Sequence, residues 1–170
     1  MIVYGRGEYA RSEEEVEALI GDVMSNLRQR GFTPDGFEIM PEQALFCIVE
    51  DSYPEDADTL HPDNYLHVSV NTTNGFGALY WWTIQAPEDD AEEDVFKFHW
   101  TSRNPNPPSF DPFVVEDPGG GTYFPREAAI PVAKIRAALE EFCRNKTGRR
   151  PECVDWYLLD PNPHPPGASY

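Results

Sequence analysis

His99 and Cys153 are the two side chains from which this chain could assemble a nucleophile and its base. A thiol attacks only as the thiolate, so the cysteine needs that base within hydrogen-bond reach. Both residues fall in stretches that read as strands, and a sheet could bring them together, but no flanking motif marks them as a pair. GRGEYA at 5–10 fits G-x-G-x-x-A, the pattern that seats a pyrophosphate on a helix N-terminus. Physics opposes that use here. Glu8, Glu13, Glu14 and Glu15 would face the phosphates with like charge, and Ser12 with Glu15 sets the helix start several residues late. GGGT at 119–122 lacks the lysine of a P-loop and reads as a turn. His61, His67, His99 and His164 show no i, i+4 pairing, and Cys47, Cys143 and Cys153 follow no ligand spacing. No metal site is expected, and no cofactor. Paired acids abound without an apolar neighbourhood to raise a pKa, so no acid–base dyad is expected.

The acids point elsewhere. There are 30 Asp and Glu against 13 Lys and Arg, for a net charge of −17 over 170 residues. Between residues 31 and 96 stand fifteen acids and no Lys or Arg. Such a surface repels phosphates, which argues against nucleic acid or an anionic membrane as direct partner and suits a basic protein. Two loop clusters dominate. One holds Glu50, Asp51, Glu55, Asp56 and Asp58, with Asp63 just beyond; the other holds Glu88, Asp89, Asp90, Glu92, Glu93 and Asp94. They are either solvated loops that keep the protein soluble or a docking face for a cationic surface. The odd cysteine count suits reduced thiols in the cytoplasm. The first residues carry no long apolar run, so no signal peptide is expected.

These residues need a scaffold, and the periodicity supplies one. Residues 12–30 predict a helix: Ser12 and Glu15 form a capping box, and Val16, Leu19, Ile20, Val23, Met24 and Leu27 make one apolar stripe. Arg28 and Arg30 would occupy its last turn, with Gly31 ending it. Strands are predicted at 44–50, 65–70, 78–84 and 95–100, with Asn74-Gly75 as the hairpin turn and the last three as an antiparallel meander. Trp81, Trp82 and Trp100 are interleaved with apolar residues, as a sheet core requires. A short strand is expected at 113–115, and a turn follows at DPGGG. A second helix starts near Ile130, with Pro131 in its first turn, Val132, Ile135, Ala138, Leu139 and Phe142 as its buried stripe and Gly148 as its cap. TGRRPECVDW then hands that helix to a strand over 153–159, with Val154, Trp156 and Leu158 on one face. The expected fold is a single α+β domain over 1–159: an antiparallel sheet of about five to six strands with two helices packed on it. The Pro-rich tail at 160–170 should stay loose.

Taken in order, WTSRNPNPP and YFPREAAIPVAKIRAALEEFCRNKTGRRPECVDW resemble the immunity proteins of bacterial polymorphic toxin systems, most of all immunity family one, often found in actinobacteria. The residues that carry the resemblance are Trp100, Asn104, Pro105, Pro125, Ile130, Pro131, Phe142, Gly148, Arg150, Pro151 and Trp156. The resemblance implies a non-catalytic inhibitor that binds the toxin domain secreted by the same strain; such toxins often target nucleic acids, deaminases among them. The acidic clusters would then occupy a basic cleft, with Tyr53 and Tyr65 as aromatic anchors. Arg150 would pair with a fold acid or a strand carbonyl and pin the joint before Trp156. A different class of function is a small-molecule-binding or enzymatic domain using the aromatic sheet face with His99 and Cys153. A third is an acidic adaptor for some other basic protein.

Overall fold

The computed structural model describes residues 2–3, 6–49, 62–84 and 99–158. Helix α1 spans Glu13–Asn26, and its start is the predicted capping box. Ser12 Oγ accepts from the Glu15 backbone N–H at 3.2 Å, while Glu15 Oε2 accepts from the Ser12 N–H at 3.1 Å. These bonds hold the Glu15 carboxyl below its ordinary pKa, the backbone donors of Arg11 and Ser12 contributing most. The helix ends four residues before the expected Arg30, so the two arginines do other work. Arg28 pairs with Glu42, and Arg30 donates to Glu38 Oε1 at 2.6 Å with its guanidinium over the rings of Phe32, Phe113 and Tyr123.

Among the described residues one eight-stranded antiparallel sheet dominates. Its central run is β12 (Asp155–Leu158), β8 (His99–Arg103), β7 (Phe76–Thr83), β6 (Asn64–Asn71) and β5 (Ala44–Phe46), in that spatial order. The β6–β7–β8 run is an antiparallel meander, its third strand seen over His99–Arg103 where 95–100 was expected, with residues 95–98 outside the described residues. Short additions are β1 (Ile2–Val3) and β2 (Arg6–Gly7) beyond β5, and β11 (Ile130–Pro131) against β7. The pair β1–β2 is an antiparallel hairpin, so GRGEYA follows no strand-to-helix phosphate turn. Two small hairpins complete the fold: β3 (Gly31–Phe32) with β4 (Glu38–Ile39), and β9 (Val115–Asp117) with β10 (Thr122–Tyr123) around DPGGG.

Period-two alternation sorts the strands into two faces. Leu66, Val68 and Val70 point to the helices, joined by Ala44, Phe46 and Leu79. Leu19, Ile20, Val23 and Leu27 of α1 cover them, with Ile135, Ala138, Leu139 and Phe142 of α2 (Val132–Asn145). Each fully buried aliphatic or Phe side chain there contributes about 1.5–3 kcal/mol. Gly77 allows the close fit: a Cβ on it would lie 2.5 Å from Ser69 O and 3.0 Å from the Ile135 side chain. Ile130-Pro131 is not the first turn of α2 but a strand edge, Ile130 opposite Gly77 and Pro131 acting as N-cap. Lys146, at φ 53°, caps α2 in place of the expected Gly148. Gly148 stands two residues on, at φ 69°, where a Cβ would meet Asn64 Cγ at 2.5 Å.

On the second sheet face the described residues form a smaller cluster. Val114, Phe124, Ala128 and Ala129 pack on Ala78, with Phe76, Tyr80 and Tyr157 at the margin. Asn104 ties this layer down: its N–H donates to Glu127 O and its Nδ2 to Ala129 O, both at 2.6 Å.

Candidate partner-binding face

Opposed residues of an antiparallel pair share a face. Tyr65 therefore stands beside Trp82, His67 beside Tyr80, and Trp82 beside His99, all on the side away from the helices. The rings form a continuous row. Tyr65 stacks on Trp82 with centroids 4.0 Å apart, Trp82 on His99 at 5.9 Å and 2°, and His67 tilts against Tyr80 at 5.5 Å. Trp82 Nε1 donates to His67 Nε2 at 3.2 Å, so the His67 proton sits on Nδ1. The Tyr80 hydroxyl is hydrogen-bonded to His99 Nδ1.

Burial sets the charge of this row. It brings His67 down to about 4 and lowers His99, while it raises Tyr80 to about 12, with the Glu116 charge adding. Near neutral pH both imidazoles are uncharged and the phenol keeps its proton. The row is a half-buried aromatic surface with polar edges and no charge of its own.

The chain ends that border the acid-rich stretches meet at one end of this row. Ile84 N donates to Asp63 O at 2.9 Å, and Thr83 Oγ1 donates to the same oxygen. Asn64 clamps Ile48 from both sides, accepting from its N–H at 2.8 Å and donating to its carbonyl at 2.9 Å. Residue 99 opens β8 next to Trp82. Stretches 50–61 and 85–98 thus join the described sheet where Tyr65, Trp82 and His99 stack. Glu50, Asp51, Tyr53, Glu55, Asp56 and Asp58 lie outside the described residues, as do Glu88, Asp89, Asp90, Glu92, Glu93 and Asp94. Asp63 and Tyr65 are described, Tyr65 at the head of the aromatic row.

Two expectations need correction. His99 and Cys153 do not meet. Asp155 pairs with Arg103, which is four residues and so about 13 Å along β8 from His99, and Cys153 lies farther still. Its N–H donates to Glu141 Oε2 of α2 at 3.0 Å, on the helix side. The thiol is pushed up to about 12, by desolvation first and then by the Glu141 hydrogen bond and charge, although the residue as a whole stands exposed. Both effects favour the protonated thiol. Arg150, in turn, finds an aromatic partner where an acid or a carbonyl was expected. Its guanidinium lies 3.8 Å from the Trp100 ring centroid and 5.7 Å from that of Trp156. Nη1 is buried with no hydrogen-bond partner among the described residues, and burial lowers the pKa of the group.

The rest of the TGRRPECVDW joint is held by indoles. Trp156 Nε1 donates to Pro151 O at 2.7 Å, and Trp81 Nε1 to Gly148 O at 2.9 Å. Trp81 and Trp156 pack against the main core, while Trp82 faces the other way. Removing the stacked guanidinium should cost what a desolvated cation–π contact is worth. Arg150→Ala is expected to lower stability by about 1–2 kcal/mol and leave partner binding intact. Lost binding with an unchanged melting curve would contradict this. Gly148→Ala should cost about 2 kcal/mol, because its left-handed backbone penalises a Cβ and the Asn64 side chain, locked on Ile48, cannot move aside freely. Denaturant unfolding of the two variants checks both figures.

The residues at this face missed by the sequence reading are His67 and Tyr80, and Trp82, expected in the sheet core, faces this side instead. The signal was there: placing Leu66, Val68 and Val70 on one face consigns Tyr65 and His67 to the other. Among the described residues no group of His, Cys, Asp and Glu could hold a metal, and no helix is long and apolar enough to cross a membrane.

Fold and face together define an acidic α+β domain, two helices on an antiparallel sheet, with a half-buried row of aromatic rings on the other face. The family model described as Immunity protein Imm1 matches residues 5–158, and the chain belongs to that family. No curated protein and no solved structure matches it. Membership makes this an immunity protein, whose partner is a toxin.

Proposed function

We propose that the protein neutralises a cognate secreted toxin domain, one that grips nucleic acid in a basic cleft as a deaminase does, by covering that cleft in the cytoplasm of the producing cell. It makes and breaks no bond. One observation carries the reading: the Ile84–Asp63 hydrogen bond gathers the borders of both acid-rich stretches at the end of the sheet where Tyr65, Trp82 and His99 stack. The acids supply attraction at a distance and the rings supply a contact that excludes water. Charge complementarity raises association by orders of magnitude over about 10⁵–10⁶ M⁻¹s⁻¹, and neutral aromatic anchors slow dissociation. Nanomolar affinity requires about −12 kcal/mol, which a charged rim alone does not provide.

The test is protection. Cells expressing the toxin domain encoded beside this gene should survive when the protein is co-expressed, and the purified pair should co-elute. Survival unchanged by co-expression would reject the reading. Tyr65→Ala together with Trp82→Ala should speed dissociation of the complex about a hundredfold, since each truncation of a central aromatic costs roughly 1–2 kcal/mol. Unaltered dissociation from a folded double variant would remove the aromatic row from the interface.

A further inference from the structure

The aromatic row deepens into a cleft of about 630 Å³ between strands β6 and β7 and the β9–β10 hairpin. His67, Tyr80 and Phe124 form its walls, and Glu116 and Asp117 stand at its mouth. Gln43 fixes that mouth: its Nε2 donates to Ser69 Oγ at 2.8 Å and to the carbonyls of Val115 and Glu116 at 3.1 and 2.6 Å. The bonds tie β9 to the sheet and hold the Glu116 backbone over the opening. Arg28 is the cation among the described lining residues, and it is already engaged by Glu42 at 3.3 Å and by Met40 O at 3.2 Å.

The cleft therefore joins an anionic mouth to uncharged aromatic walls. Glu116 is open to solvent, yet desolvation raises its carboxyl pKa, with Asp117 adding and the Thr122 hydrogen bond opposing. Its charge in turn helps raise Tyr80 and Tyr157, after burial. A cation beside Glu116 would stabilise its carboxylate against that desolvation. His67, kept neutral by burial, would not repel it.

We propose that this cleft is a socket for one arginine side chain of the toxin, its guanidinium paired with the Glu116 carboxylate and lying on the Tyr80 and His67 rings. The proposal rests on the immunity reading and names the chemistry that the partner must present. Arginine suits the socket better than lysine. Its planar guanidinium stacks on a ring and meets a carboxylate with two donors, whereas an ammonium is a compact, strongly hydrated point charge.

The probe is L-arginine amide, titrated into the free protein and followed by the ring resonances of His67 and Tyr80. A saturable shift is expected, about tenfold weaker in Glu116→Gln and absent with citrulline amide, the neutral isostere. The citrulline comparison uses the unaltered protein and so needs no variant to fold. No saturable shift, an equal response to citrulline amide or to lysine amide, or an undiminished response in folded Glu116→Gln would each overturn the proposal. Dissociation of the toxin complex separates the two readings. If the wild type captures the toxin and Glu116→Gln releases it no faster, the socket fails and the immunity reading stands. If the wild type captures no toxin, the immunity reading fails, and the socket loses the toxin as its partner.

Discussion

Replacing Glu50, Asp51, Glu55, Asp56, Asp58, Glu88, Asp89, Asp90, Glu92, Glu93 and Asp94 by Asn or Gln is expected to slow toxin capture about a hundredfold at low salt. Dissociation should change far less. Steering acts while the partners are still apart, so it enters the association rate; short-range contacts, made only in the complex, govern release. The same reasoning gives a salt signature. At about 0.5 M salt the screening length falls to a few ångström, and wild type and variant should associate at nearly the same rate. Stability should not suffer, because removing like charges that crowd together in the sequence relieves their mutual repulsion. Stopped-flow association at two salt concentrations decides it. Equal capture rates at low salt, with protection intact, would end the charge-steering reading.

The second large effect is an acid sensitivity located at His67. Burial brings this imidazole from its ordinary 6.5 to about 4. In the unfolded chain it takes a proton near 6.5, whereas in the folded protein it stays neutral until the pH nears 4. Between those values the unfolded state binds more protons, so stability falls as pH drops and is restored as pH rises. The loss attributable to His67 is roughly 3 kcal/mol across that window. His99, lowered by burial as well, acts in the same direction. His67→Gln removes the titration and keeps an acceptor for Trp82 Nε1. The variant should therefore lose about 3 kcal/mol less than wild type between pH 7 and pH 4, measured by denaturant unfolding. Equal losses would show that His67 is not held neutral.

Several parts of the fold were legible because they are local. The capping box at Ser12 and Glu15 needs only residues three apart, and it stands as predicted. The alternation that put Leu66, Val68 and Val70 on one face needs only a strand, and all three are buried. The ends of elements were less legible. Helix α1 stops at Asn26 because Arg28 and Arg30 find Glu42 and Glu38, partners 14 and 8 residues away that helical periodicity does not register. Ile130-Pro131 resembles a helix start in isolation but becomes a strand edge because β7 lies beside it.

The candidate face divides along the same line. The acid excess and its concentration between residues 31 and 96 were plain in the amino-acid order. The aromatic row was not, since Tyr65, Trp82 and His99 come from three strands and meet only through the β6–β7 and β7–β8 registers. Nor could spacing separate His99 from Cys153, which depended on Asp155 pairing with Arg103. Arg150 illustrates the limit most clearly. Its position at a helix-to-strand joint follows from Pro151 and the local pattern, but its partner was decided by the depth at which Trp100 and Trp156 bring their rings together.

Composition and short-range order alone determined the net charge, the α+β class and the elements of the immunity-family motif, because helix caps, strand alternation and charge are properties of near neighbours. Tertiary structure decided which rings stack, which imidazoles burial lowers and which thiols burial raises. Those properties depend on desolvation and on contacts between residues far apart in the chain, and neither exists until the sheet closes.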